Sequence, residues 1–99
     1  MIKVEVTKDK IYFLGHAMYA DYGKDIVCSS VSSILITTVE GIASIDESAI
    51  DVKQEKDKVI VIINKHDNIT NKLIQNMLNL LNELEKKHPK NIKITNKEE

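Results

Sequence analysis

The chain has 99 residues, of which 42% are hydrophobic and 29% charged, and 14 Lys and Arg residues against 15 Asp and Glu residues give a net charge of -1. This length predicts one small domain. The near-zero net charge predicts no direct nucleic-acid partner, because bulk attraction to phosphates is missing. The first ten residues alternate apolar and charged side chains, unlike a signal peptide. The longest apolar run, residues 59–63, is too short to cross a bilayer, so we expect no membrane partner.

The amino-terminal residues predict a β-hairpin. Residues 2–6 place apolar side chains at every second position, which is typical of a strand with one buried face, and residues 11–14 predict a second strand. Asp9 and Lys10 predict the turn between them, and Gly15 ends the hairpin.

A helix is predicted from residue 26 to Gly41, because the apolar spacing changes from two to three and four. The Asp25 carboxylate can accept a hydrogen bond from an unpaired backbone N–H of the first turn, so Asp25 is the predicted N-cap. Gly41 is the predicted terminator. The predicted apolar stripe consists of Val27, Val31, Ile34, Leu35, Thr38 and Ile42.

The second half of the chain repeats the pattern of two strands and a helix. Residues 49–54 alternate, with Ile50 and Val52 predicted to face inward. Residues 59–63 predict a central strand covered on both faces, with a partner subunit as a candidate cover for one of them. A leucine-rich helix follows, capped by Asn68 or Thr70 and stopped by His88 and Pro89. Residues 92–94 predict a last short strand.

These elements predict an α+β fold: a single small domain with a mixed β-sheet and two α-helices, in the order ββαββαβ. We expect the domain to span residues 1–95 and a frayed tail to cover 96–99. Whether the helices share one face of the sheet is left open by the pattern.

Cys28 is the only cysteine, and with Asp25 as N-cap it is the third residue of the predicted helix. Unpaired N–H groups and the helix dipole favour a thiolate at this position. A single cysteine is more often a small buried apolar residue. However, Cys28 lies off the predicted stripe and beside serines 29 and 30, which favours an open polar pocket. One cysteine cannot form a disulfide within the chain, which indicates a reducing compartment, the cytoplasm.

His16 follows the predicted hairpin and can reach the start of the next helix in a small α+β domain. The alternative is a strand-end histidine bonded to a neighbour. Paired with Cys28, it predicts a Cys–His dyad, in which the base ionises the nucleophile and later protonates the leaving amine. Free N–H groups of the first helical turn would stabilise the oxyanion.

The segment between them, residues 17–24, has Gly15 before it and Gly23 within it. Met18, Tyr19 and Tyr22 suit a loop that folds over an apolar substrate, although an ordinary surface connection explains them equally well. The three histidines and one cysteine show no paired ligand spacing, so we expect no metal and no cofactor.

The stretch from residue 15 to 32 resembles the signature of the ribosomal-processing cysteine protease family Prp (YsxB-like). The matching residues are Gly15, His16, Ala17, Gly23, Asp25, Val27, Cys28, Val31 and Ser32. The length and the order ββαββαβ also agree. One departure is Ser29, where members usually have alanine; it bears on specificity more than on the dyad.

The resemblance implies a cytoplasmic bacterial endopeptidase that removes an N-terminal extension from the twenty-seventh protein of the large ribosomal subunit, cutting after an aromatic residue. It implies Cys28 as the nucleophile and His16 as the base, with Asp25 and Ser32 in support. It also implies a homodimer and a mobile loop at residues 17–24. Two other functions stay open: a non-catalytic ribosome-assembly factor that binds the same protein, and a redox-sensing thiol.

Overall fold

The computed structural model describes residues 1–15 and 26–97. Its elements confirm the predicted order ββαββαβ. They are β1 (Ile2–Val6), β2 (Lys10–Leu14), α1 (Ile26–Ile45), β3 (Ile50–Glu55), β4 (Lys58–Ile63), α2 (Asn68–Lys87) and β5 (Ile92–Asn96). The Lys97 N–H donates to the Val6 carbonyl at 2.7 Å. The sheet therefore continues past residue 95, where the sequence placed the end of the domain.

The five strands form one mixed sheet in the order β3-β4-β2-β1-β5. β1 pairs with β5 in parallel, and the other neighbours are antiparallel. The register places Val4 opposite Phe13, and Phe13 opposite Val59. Because side chains alternate between the two faces of a strand, these buried residues share one face of the sheet.

Both helices cover that same face. The buried residues of α1 and α2 join the buried strand residues in one core cluster, and the two helices pack against each other. Phe13, Ile11 and Met77 are among its largest fully buried side chains. The mixed sheet with two helices on one side settles the question that the sequence left open.

The described residues of this chain leave the opposite face of the sheet open, so the helices cover only one face of β4, and cover of the second face by a partner subunit stays a prediction. Val59, Val61 and Ile63 are buried, whereas Ile60 and Ile62 are only half-buried. The predicted inward orientation of Val52 is confirmed, but the side chain is not buried. Val52 shares the helix-side face with Ile50, but it is 42% exposed, since β3 is an edge strand that α1 covers only at its start.

α1 continues past Gly41 to Ile45, so the prediction that Gly41 ends the helix was wrong. A glycine inside a helix costs only about 1 kcal/mol, and packing of the flanking Leu35 and Ile42 in the core outweighs it. Apart from its chain neighbours and the backbone of its own helix, no atom of the described residues lies within 4 Å of where a Cβ at Gly41 would be. Glycine is therefore not required there.

The turn after α1 is organised by Asp46. Its carboxylate accepts hydrogen bonds from the Lys65 ammonium at 2.7 Å and from the Ser48 hydroxyl and N–H. The bond from Lys65 contributes most, and together these bonds lower the pKa of Asp46 to about 2. The end of α1 is thereby tied to the segment between β4 and α2.

α2 begins at Asn68, so the prediction that Asn68 or Thr70 is its N-cap was wrong. Asp67 is the N-cap, and its carboxylate accepts from the Thr70 N–H, a bond that lowers the pKa of Asp67. The helix ends at Lys87, and the His88 N–H donates to the Leu84 carbonyl before Pro89. The predicted stop is confirmed.

Within residues 1–15 and 26–97, α1 is the one helix whose length and mean hydropathy of 1.7 would allow it to cross a membrane. Serines and threonines interrupt its apolar residues, so α1 contains no long uninterrupted apolar run. A core helix passes the same test. Val27, Val31 and Leu35 pack on the sheet in the core cluster, which is the role of a core helix.

Candidate active site

Cys28 is the third residue of α1, as predicted, and its backbone lies in the first turn, where N–H groups have no partner within the helix. Its surroundings differ from the prediction. Cys28 is only 3% exposed and belongs to the core cluster, so the expectation of a thiol off the apolar stripe was wrong. The covered face of α1 is rotated from the predicted stripe toward Cys28 and Ser32, because these two residues face the sheet.

Ser32 lies one turn after Cys28 on the same side of the helix. Side chains at this spacing have Cβ atoms about 5–6 Å apart, and Ser32 is also buried, at 8% exposure. The structure therefore brings together two of the predicted site residues, the nucleophile and the supporting serine.

The serines that flank Cys28 open onto a different surface. The Ser29 hydroxyl donates to the Ile26 carbonyl at 3.1 Å. A groove of about 440 Å³ separates this part of α1 from α2, and it is lined by Ser29, Ser30, Ser33, Ile34, Leu80, Glu83, Leu84 and Lys87. The serines that suggested a polar opening thus line a groove on the α2 side of the helix, whereas Cys28 itself is buried.

A second groove of about 350 Å³ lies on the other side of α1, against β3. We name it the β3 groove; it is lined by Leu35, Ile36, Val39, Glu40, Val52, Gln54 and Val59. This groove was not predicted, because the alternation in residues 49–54 indicates that Val52 faces inward but not how much of it is covered. The signal was present in the row formed by Cys28, Ser32, Leu35 and Val39, at helical spacings of four, three and four.

Gly15 ends β2 with a backbone that only glycine adopts readily. Its φ is +109°, and a Cβ there would lie 2.9 Å from the Met1 carbonyl oxygen. The Gly15 N–H donates to the Asp57 carbonyl at 3.1 Å, which joins the end of β2 to the turn before β4. Gly15 therefore fixes the direction in which the chain leaves the sheet toward position 16.

Two glycine-to-alanine substitutions are expected to have opposite effects. Gly15→Ala should lower the free energy of unfolding by about 1–3 kcal/mol, since it forces an unfavourable φ and a backbone clash. Gly41→Ala, the matched control inside α1, should raise it by about 0.5–1 kcal/mol. Urea unfolding monitored by circular dichroism measures both values. Wild-type stability of Gly15→Ala would show that the strand end adapts and that glycine is not required.

The other predicted site residues lie outside the described residues. These are His16, Met18, Tyr19, Tyr22, Gly23 and Asp25. The Cys–His pairing, the Asp25 cap and the substrate loop therefore stay predictions. Within residues 1–15 and 26–97, no three His, Cys, Asp or Glu side chains group in a way that would hold a metal ion.

Comparison with known sequences identifies one family that matches almost the whole chain, including the candidate site. A family model described as cysteine protease Prp matches residues 1–93. The ribosomal processing cysteine protease Prp of Mycoplasma genitalium is 34% identical over 56 residues, which cover 57% of this chain and 54% of that protein. The Mycoplasma pneumoniae protein of the same name is 49% identical over 35 residues, 35% of each chain. The matched stretch thus spans about half, or less, of these relatives.

Solved structures share the fold. The essential ribosomal processing protease Prp from S. aureus, in complex with a covalently linked product peptide, has a TM-score of 0.86 and 24% identity, covering 98% of this chain and 100% of that chain. A protein from Streptococcus mutans has a TM-score of 0.78 and 19% identity, covering 99% and 93%. At these identities the likeness establishes the fold alone, and it agrees with the α+β architecture predicted from the sequence.

Proposed function

The chain belongs to the cysteine protease Prp family, and on that premise we propose that it is a cysteine endopeptidase that removes an N-terminal extension from the twenty-seventh protein of the large ribosomal subunit. The observation that carries the proposal is the position of Cys28, in the first turn of α1 beside Ser32. The S. aureus structures that hold a substrate peptide or a covalently linked product peptide support a peptide as the substrate.

The proposed reaction uses Cys28 and His16 as a dyad. The Cys28 sulfur forms a bond to the scissile carbonyl carbon, and first-turn N–H groups of α1 stabilise the oxyanion. The C–N bond then breaks, and His16 gives its proton to the leaving amine. Water hydrolyses the thioester, which releases the acid product and restores the thiol. Asp25 and Ser32 act in support, Asp25 as helix cap and Ser32 beside the nucleophile. No metal or cofactor takes part.

The burial of Cys28 adds a requirement to this reaction. At 3% exposure, the sulfur is out of reach of a peptide carbonyl until the groups over it separate. We assign this opening to the substrate loop, residues 17–24, which follows Gly15 and contains Gly23, with Met18, Tyr19 and Tyr22 as the side chains that close over the bound peptide. A site assembled by its substrate would limit cleavage of other proteins in the cell.

The open face of the sheet supports the homodimer that the family resemblance implies. Tyr12 and Ile60 stand opposite each other in the register, and Leu14 and Ile62 lie on the same face. All four are half-buried rather than covered. Packing of this face against a second copy would bury them. With one cysteine and a ribosomal-protein substrate, the proposed location is the bacterial cytoplasm.

Mass spectrometry of the substrate tests the proposal most directly. A peptide with the N-terminal sequence of the ribosomal protein is incubated with the chain, and the products are weighed. A single cut after an aromatic residue, with both fragments recovered, is expected. Binding of the intact peptide without cleavage would instead identify an assembly factor. Reversible oxidation of Cys28 with no response to the peptide would identify a redox-sensing thiol.

A further inference from the structure

The β3 groove is apolar but uncovered. Ile36 and Val52 are 44% and 42% exposed, although Val52 lies on the helix-side face of the sheet. Buried Leu35 and Val59 form its floor. A volume of about 350 Å³ is at the lower end of the range of small-molecule and side-chain pockets. The groove is therefore large enough for one large apolar side chain.

The groove lies on the same side of α1 as the nucleophile, farther along the helix. Cys28, Ser32, Leu35 and Val39 form one row on the helix, and the last two line the groove. Leu35 is seven residues after Cys28, which corresponds to about 10 Å along the helix axis. An extended peptide advances about 3.3 Å per residue. A substrate whose scissile carbonyl lies at Cys28 would thus bring a side chain three residues away to Leu35.

β3 offers a backbone on which such a peptide can pair. It is the last strand on its side of the sheet and pairs only with β4 among the described strands. Edge strands bind extended peptides by adding a strand. The opposite edge, β5, is less suited, because the Ile94 N–H already donates to the Glu85 carboxylate at 2.8 Å.

The negative charge at the β3 groove favours binding of a positively charged segment of the substrate. Glu40 is the one charged residue among the described residues that line the groove. A protein that binds ribosomal RNA neutralises phosphates with lysine and arginine, so the substrate carries cations that can pair with Glu40. The groove between α1 and α2 lacks this fit, since Glu83 and Lys87 carry opposite charges.

The two grooves also lie on different sides of α1. Successive residues of an α-helix are about 100° apart. Ser30 and Ser33, which line the groove on the α2 side, are therefore about 200° and 140° around the helix from Cys28. Leu35 is within about 20° of Cys28, so only the β3 groove lies on the side of the nucleophile.

We propose that the β3 groove is a specificity subsite of the protease. An extended segment of the substrate pairs with the edge of β3, an apolar side chain three residues from the scissile bond enters the groove, and a neighbouring lysine or arginine pairs with Glu40. The inference rests on the proposed function, because it places the groove relative to a peptide bond cut at Cys28.

Cleavage kinetics on a peptide series test the subsite. The substrate peptide is made with leucine or alanine three residues from the scissile bond, on each side in turn. The wild-type chain should cleave the leucine peptide at least about tenfold better in kcat/KM on one of the two sides, the usual worth of a filled apolar pocket. Ile36→Asp and Val52→Thr should each reduce this preference by slowing cleavage of the leucine peptide.

Leu80→Asp is the matched control, since Leu80 is 40% exposed on a helix and lines the other groove. It should keep the leucine preference. Glu40→Lys should weaken cleavage only of peptides with a cation near the leucine, and Glu47→Lys, an exposed acid outside the groove, should not. Thermal melts establish that each variant is folded.

The outcomes separate the subsite from the function. Cleavage by the wild-type chain with an unchanged leucine preference in both Ile36→Asp and Val52→Thr would overturn the subsite and leave the protease standing. Loss of the preference in Leu80→Asp would assign it to the other groove. Failure of the wild-type chain to cleave any peptide would overturn the proposed function itself, and the subsite with it.

Discussion

Cys28→Ala is expected to reduce cleavage of the ribosomal-protein peptide to the uncatalysed level, and Cys28→Ser should do the same. Alanine has no nucleophile, and a serine hydroxyl is far less nucleophilic than a thiolate without an activating site built for it. The peptide products are weighed by mass spectrometry after equal incubation with each variant. This loss is the largest effect predicted for any substitution in the chain.

The burial of Cys28 makes a folding control necessary. Cys28 is part of the core cluster, so its replacement by alanine leaves a small cavity, and a lost activity has to be separated from a lost fold. Cys28→Ser keeps nearly the same volume, and both variants should retain the circular dichroism spectrum of the wild-type chain. Near-wild-type cleavage by folded Cys28→Ala would rule out the cysteine mechanism.

A double variant tests the position of the thiol as well as its presence. Cys28→Ala with Ser29→Cys keeps one thiol in the first turn of α1 but rotates it by about 100°, away from the row that contains Ser32 and Leu35. It should be inactive. Restored cleavage would mean that any thiol at this helix start suffices and that the buried position of Cys28 has no role.

The fold was largely predictable because its strands and helices have distinct apolar periods. The alternation in β1 and the leucine stripe of α2 each have one buried face, so their patterns match the observed burial. The apolar period predicted burial less well in α1 and β4, where apolar residues lie on more than one face. Ile60 and Ile62 are as apolar as Val61, and only the layout of the sheet shows which of them face the helices.

The candidate site was predictable in sequence position but not in environment. The spacing placed Cys28 at the third residue of a helix, and α1 begins at Ile26. Its burial depends on how α1 is rotated over the sheet, and serines 29 and 30 suggested the wrong rotation because they are polar and adjacent. The β3 groove could not be predicted either, since it exists only where α1 leaves the edge strand uncovered.

His16→Ala is expected to lower the rate of peptide cleavage by roughly 10²–10⁴-fold, the usual contribution of a positioned general base. The loss should fall mainly on kcat, because the histidine acts on the reacting atoms and not on peptide binding. The variant should also raise the apparent pKa of the Cys28 thiol, since a neighbouring imidazolium favours the thiolate. The rate of alkylation by iodoacetamide, measured against pH, reports this change independently of cleavage.

His66→Ala provides the matched control for His16→Ala. His66 lies 2.7 Å from the Asp9 carboxylate, beside the turn that joins β1 and β2, whereas Gly15 and position 16 follow the opposite end of β2. The five residues of β2 separate these ends by roughly 14 Å, too far for His66 to reach the nucleophile. The His66→Ala variant should therefore cleave the peptide and react with iodoacetamide at the wild-type rates. An alkylation profile of His16→Ala identical to that of His66→Ala would show that His16 does not pair with Cys28, and the base would have to be sought elsewhere among the residues around α1.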